Sequence, residues 1–280
     1  MMQKHAVRNK AVAALLAVGL AVSMGACGGN GAQGQPSGTG SASTAGESRV
    51  SKATAAFFDS KTEIPAEQAF GTKSVWFDKG SEEDLSEDAT VDYIYVFDGS
   101  GGVTAYQTGY APTDTGIGPV TTTYGDLLGL SEDELIQLAK DRDKDCFDNA
   151  RENYLSTSAK FFADKAEQDT SKAEEITKKG EEFQKTLSMT EYEEPAAKPF
   201  YLKVNSSEEM LSFQIRRFNE QYADYYLKGS SNAGTFETVN KDLELKPIDA
   251  VQLDGMRLQG YSRIVTSVGP NNKGFTGMEQ

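Results

Sequence analysis

The middle of the chain carries helical periodicity and both flanks carry strand patterning, and that order limits the fold more than any single residue does. Residues 130–135 (LSEDEL) set an N-cap Ser131 against a capping-box Glu134, with Leu130 and Leu135 placed as a hydrophobic staple. Leu135, Leu138, Ala139, Cys146, Ala150 and Tyr154 then recur at spacings of three, four and seven, which predicts a helix with one buried face, Cys146 included. A second box, Ser171 with Glu174, restarts a helix through 184. Its run of Lys and Glu leaves a thin apolar stripe of Ala173, Ile176 and Phe183, so this helix is expected to be largely solvated.

The flanks differ. Residues 72–78 (TKSVWFD) and 91–97 (VDYIYVF) are rich in β-branched and aromatic side chains, and Asp98 to Gly102 (DGSGG) turns the second into 103–108, a predicted hairpin. Between them, 81–88 (SEEDLSED) reads as a charged exposed loop. After Pro195 and Pro199, strand-like segments return at 200–204, 235–239, 243–248 and 261–268, the last before the turn residues 269–272 (GPNN). Residues 206–227 fit two patterns equally. Leu211, Phe213 and Ile215 alternate as in a strand, whereas Leu211, Ile215, Phe218, Tyr222 and Tyr225 recur as in a helix behind a Ser206–Glu209 capping box. Strands, then helices, then strands without βαβ alternation predict an α+β domain over 50–280. It has a mainly antiparallel sheet or partial barrel and a helical insertion at about 131–187.

The first 26 residues follow other rules. Lys4, Arg8 and Lys10 precede an unbroken run of Ala, Val, Leu and Gly at 11–22, too short to span a bilayer, as in a signal peptide. Small residues Gly25 and Ala26 then stand directly before Cys27. This junction resembles the lipobox of bacterial lipoprotein precursors, with Met24 where that family usually has Leu. The resemblance covers the leader alone. It implies cleavage before Cys27, lipidation of its sulfur, and a mature protein held on the extracytoplasmic face of the cell membrane. Two or more acyl chains anchor stably, so no transmembrane helix is required. Residues 28–49 are Gly, Ser and small polar residues that cannot bury enough surface to order, a flexible linker reaching roughly 25 Å. The G-x-G-x-x-G match at 29–34 falls inside it, with no strand before and no helix after, so it is linker composition.

Three of the 28 basic residues lie in the leader, which leaves 25 against 42 acids, a net charge of −17 after cleavage. Such a field disfavours nucleic acid and anionic lipid and favours cations or basic partners. The single histidine, His5, is also in the leader, which removes imidazole-based catalysis and His-ligated zinc. With Cys27 given to lipid, Cys146 stands alone, and no intramolecular disulfide is expected. No G-x-S-x-G, S-x-x-K or P-loop pattern occurs after the leader.

One spacing suggests metal. Asp141, Asp143, Asp145 and Glu152 occupy positions one, three, five and twelve of an EF-hand calcium loop. The sixth position, where the loop needs Gly, is Cys146, and the eighth is Asp148 rather than an aliphatic residue. An uninterrupted helix through 141–152 is therefore expected, with calcium as the alternative reading, and no other cofactor. Trp76, Tyr93, Tyr95, Tyr222, Tyr225 and Tyr226 are candidates for stacking sugars, but their alternating or helical spacing points to packing first. The expectation is a lipid-anchored envelope protein that binds a protein or glycan ligand without catalysis. A glycoside-type hydrolase using paired carboxylates is the rival, though no pair is singled out among so many acids. A transporter-linked solute-binding protein is weakened by the lack of two alternating α/β lobes.

Overall fold

A computed structural model describes residues 53–80, 85–112, 118–218, 222–229 and 236–279. Two units are distinguished, Met1–Ser48 and Arg49–Gln280, and the description concerns the second. Cys27, the linker and Ser81 to Asp84 of the acidic loop lie outside the described residues.

Among the described residues nine strands form one wholly antiparallel sheet. In chain order they are β1 (Ser74–Asp78), β2 (Tyr93–Phe97), β3 (Gly102–Gln107), β4 (Lys198–Asn205), β5 (Glu208–Phe218), β6 (Phe236–Glu244), β7 (Pro247–Leu253), β8 (Met256–Tyr261) and β9 (Ile264–Ser267). Their spatial order is β6-β5-β4-β3-β2-β1-β9-β8-β7, and the ladder is not closed. The helices are α1 (Ala66–Phe70), α2 (Glu132–Gln168), α3 (Ala173–Ser188) and α4 (Tyr222–Leu227), with a 3₁₀ turn at Tyr124–Leu127.

The edge strands β6 and β7 are joined through Leu245 and Lys246 alone. Nine strands laid flat would hold their edges about 38 Å apart, whereas three Cα steps reach at most about 11 Å. The sheet therefore curls. Its turning point is β4, which pairs with β3 only at Pro199 and Lys198 and then with β5 from Phe200 to Asn205. Side chains of β4 and β5 accordingly meet those of β2 across the core, with ring centroids 5.3 Å apart for Phe200 and Phe97 and 5.1 Å for Phe213 and Tyr95. This inner core also takes Phe58, Phe70 of α1, Trp76, Tyr261 and Phe275. Gly260 admits Trp76 to it, because a Cβ there would stand 3.0 Å from the indole. An interior ion pair, Lys241 Nζ to Asp78 Oδ2 at 2.9 Å, ties β6 to β1, and the Tyr95 hydroxyl donates to the same oxygen at 2.7 Å.

On the other sheet face, Val75, Phe77, Ile94, Tyr106, Leu258 and Val265 pack against Leu135 and Ala139 of α2. That helix is 37 residues long, so at about 1.5 Å per residue it runs about 55 Å. It starts where the capping box is read: Ser131 Oγ accepts from Glu134 N, and the Glu134 carboxylate accepts from Ser131 N. Beyond Tyr154 it packs on α3 and α4 through Phe162, Ile176, Phe183, Leu187 and Ala223.

Several sequence expectations need correction. The second capping box does not form; the N-cap of α3 is Lys172 without a side-chain cap, and Ser171 Oγ donates instead to Asp169 Oδ1 at 2.6 Å. The helix itself is largely solvated as expected, and Gly180 and Leu187 add to its thin buried stripe of Ile176 and Phe183. Residues 206–227 contain both patterns in succession: β5 ends at Phe218 and α4 begins at Tyr222. The supposed capping box at Ser206 is a hairpin turn, with Ser206 and Ser207 at φ +52° and +78°. The segment 243–248 is the crossing from β6 to β7, and a turn at Ser262 and Arg263 divides 261–268. Asp98 turns the β2–β3 hairpin as predicted, its Oδ1 accepting from Ser100 N and Gly102 N at 2.6 and 2.9 Å, and these bonds hold its carboxyl below the usual range.

Candidate functional site

The segment between α3 and β4, residues 189–197, crosses the curled sheet as a strap. Arg151 Nη1 donates to Thr190 O at 3.0 Å, the Arg216 guanidinium donates to Glu193 O, and the Tyr106 hydroxyl donates to Glu194 Oε1 at 2.9 Å. Lys140 Nζ lies 2.9 Å from the same Glu194 oxygen. Lys140 first, then Tyr106, holds the Glu194 carboxyl below its ordinary value.

Beneath the strap, Asp143 is the hub. Its Oδ1 accepts from Gln107 N at 2.8 Å, which caps the β3 edge where no strand pairs it among the described residues. Its Oδ2 accepts from the Tyr192 hydroxyl at 2.8 Å and lies 3.3 Å from Arg216 Nη2. Burial raises the Asp143 pKa, against the pull of those three partners. The guanidinium of Arg216 stacks 3.9 Å from the Phe236 ring centroid, within reach of Tyr192. A cleft of about 200 Å³ opens beside it, lined by Glu193, Glu194, Lys198, Gln214, Arg216 and Thr238 among others.

The calcium candidates do not converge. Asp141, Asp143, Asp145 and Glu152 all lie within α2, where residues two apart point about 200° apart. Asp143 faces the core; Asp141 is exposed and accepts from Gln137 Nε2 at 2.9 Å; Asp145 pairs with Arg142 at 3.5 Å; Glu152 is exposed. Among the described residues no group of three or more His, Cys, Asp or Glu side chains is arranged to hold a metal ion. Asp145 and Asp148 line a separate cavity of about 360 Å³ beside Pro119 to Thr121, and Asp148 is paired with Lys144 at 2.5 Å and Arg151 at 3.3 Å. A third cavity, about 460 Å³, is a groove between α2 and α3.

Cys146 is buried and free, and burial pushes its thiol up to about 12. Trp76 and Tyr95 are fully buried, and Tyr226 packs 5.3 Å from the Phe183 ring, so these three are packing residues. Tyr93 stacks on Tyr95 at 6.0 Å under Lys241, and burial pushes its hydroxyl up to about 12. The side chains of Tyr222 and Tyr225 lie outside the described residues. Sequence reading singled out Asp143 only as a calcium candidate and missed its partners Arg216 and Tyr192. Arg216 gave no signal, but Asp143 did: it falls between Ala139 and Cys146 on the stripe that predicted the buried helix face, the wrong place for an unpaired carboxylate.

No protein-family model, curated protein or solved structure matches the chain. Among the described residues no helix is long and apolar enough to cross a membrane.

Proposed function

We propose that this chain is a lipid-anchored cell-envelope protein, held on the extracytoplasmic face through Cys27, whose folded part is a partial barrel serving as a non-catalytic binding module. The leader junction supports the anchor, and the linker at 28–49 gives the module its reach. Its ligand is an envelope protein or glycan. A net charge of −17 after cleavage opposes nucleic acid.

The observation that carries binding over hydrolysis is how two carboxyls are held, Glu194 of the cleft and Asp143, the partner of the cleft's Arg216. Glycoside chemistry needs one carboxyl kept protonated and aimed at the scissile bond, with a second ionised across from it. Asp143, whose pKa is raised, is enclosed by Arg216, Tyr192 and Gln107 N. Glu194, in the cleft, is held ionised by Lys140 and Tyr106. Neither is poised to deliver a proton to a ligand. The test uses the full chain in detergent against chromogenic glycosides and envelope extract. The binding reading expects no turnover and a retained envelope component; glycoside turnover that Glu194→Gln abolishes would replace it with the hydrolase.

A further inference from the structure

We propose that the outward face of β4–β6 is a glycan-binding surface, taking a neutral oligosaccharide along Tyr201, Gln214 and Asn240 toward the strap-bordered cleft. This rests on the binding-module reading and names its ligand class.

The curl gives these strands one face in the core and one in solvent. Leu211, Phe213, Ile215 and Leu243 point inward, so their neighbours Ser212, Gln214, Asn240 and Asp242 point outward. An outward strand face needs only solvated residues, but this one carries a large ring. Tyr201 is 63% exposed and stands opposite Ser212 in the β4–β5 ladder, which in turn stands opposite Asp242. Beside the ring the polar groups are already fixed: Ser212 Oγ donates to Asp242 Oδ1 at 2.5 Å, and Lys203 Nζ lies 3.0 Å from Asp242 Oδ1 and 3.2 Å from Ser212 Oγ. Ser212 and Lys203 together hold the Asp242 carboxyl below its ordinary value.

Two residues further along, about 7 Å, Gln214 pairs with Asn240, and both amides are exposed. The next row, Arg216 with Thr238, borders the cleft, whose lining includes Gln214, Lys198 and Phe236. A pyranose presents an apolar C–H face and a rim of hydroxyls that both donate and accept. An exposed ring covers the first, and side-chain amides, which carry two donors and an acceptor, answer the second. Charge points the same way. In a strongly acidic chain the carboxylate beside Tyr201, Asp242, is paired with Lys203, and the next row toward the cleft, Gln214 with Asn240, is uncharged, so these two rows offer directional hydrogen bonds with little local charge.

The test titrates the full chain in detergent with cellotetraose, chitotetraose, mannotetraose and galactotetraose, read by calorimetry and saturation-transfer NMR. At least one is expected to bind. Tyr201→Ala should weaken it roughly tenfold, the loss of one stacking contact, and Tyr201→Phe should retain it. Gln214→Ala and Asn240→Ala should each weaken it several-fold, and Glu181→Ala on α3 should leave it unchanged. Circular dichroism checks that the exposed substitutions leave the fold intact. Binding of none of the four sugars, or binding that Tyr201→Ala does not alter, overturns the glycan surface. The envelope pull-down separates the two levels. If the Tyr201→Ala chain still captures a protein partner while no sugar binds, the module reading stands and the glycan surface falls; if nothing is captured and no sugar binds, both fall.

Discussion

Asp143 shows how one residue type serves opposite ends. Its spacing from Asp141 and Asp145 suggests a metal loop, but the helix turns it away from both and into the sheet, where Arg216 answers its charge. Removing one partner of such a pair leaves the other buried and uncompensated, which costs more than losing both. Asp143→Leu and Arg216→Leu are each expected to destabilise by about 3 kcal/mol, and the double variant by clearly less than the sum, as urea unfolding would measure. Additive losses would mean that the pair is not coupled. The pH dependence has a definite sign. Because burial raises the Asp143 pKa, its contribution is full below the ordinary aspartate value of 3.8 and declines as pH rises through the folded value. The cost of Asp143→Leu should therefore be smaller at neutral pH than in strong acid. Asp242 and Glu194 have lowered values and run the other way, contributing above the ordinary range and losing that contribution as pH falls through the folded values. The site was only partly legible at this scale. Asp143 betrayed itself by its place on an apolar stripe, whereas Tyr201, Gln214 and Asn240 look in sequence like any solvated alternation.

Elements were legible where one local rule sufficed and obscure where tertiary structure arbitrated. Ser131 with Glu134 is self-contained, so α2 begins where it is read. Ser206 with Glu209 has the same form but sits between two ladder-forming runs, and pairing of β4 with β5 makes it a turn. The β7–β8 hairpin was missed, although Asp254 and Gly255 mark its turn, because β7 carries polar residues and a register shift between Ile248 and Val251 that breaks the alternation. Gly180 tests the helix pair. Helix propensity alone favours Ala there by about 1 kcal/mol. A Cβ at Gly180, however, would lie 2.9 Å from both Cβ and Cγ of Phe162, which is nine-tenths buried or more and attached too close to its backbone to swing aside. Overpacking of this kind costs about 1–3 kcal/mol. Gly180→Ala is thus expected to lower the thermal midpoint, and a rise would show that α2 and α3 pack less closely than their contact implies.

For the whole molecule, the decisive constraint is the two-residue join between opposite edges of a nine-stranded sheet. Mainly antiparallel pairing was readable from strand patterning, but the strand order was not, because nothing local says that β4 pairs with β3 across the helical insertion. That curl leaves one sheet face to α2, one to the inner core, and the outer side of β4–β6 to solvent. How the proposed module would reach a ligand depends on the proposed tether. A diacylglyceryl group on Cys27 would provide at least two chains, each methylene contributing about 0.8 kcal/mol of membrane affinity, so the anchored chain should stay with the membrane fraction through salt washing. Cys27→Ala removes the sulfur proposed to carry the lipid. The variant is expected to accumulate uncleaved, or to be cut elsewhere and released, while mass spectrometry of the unaltered protein finds a modified cysteine at its N-terminus. A Cys27→Ala chain that is cut at the same bond and still sediments with membranes would show that the tether lies elsewhere. The sheet and its outer surface would then need another route to the membrane.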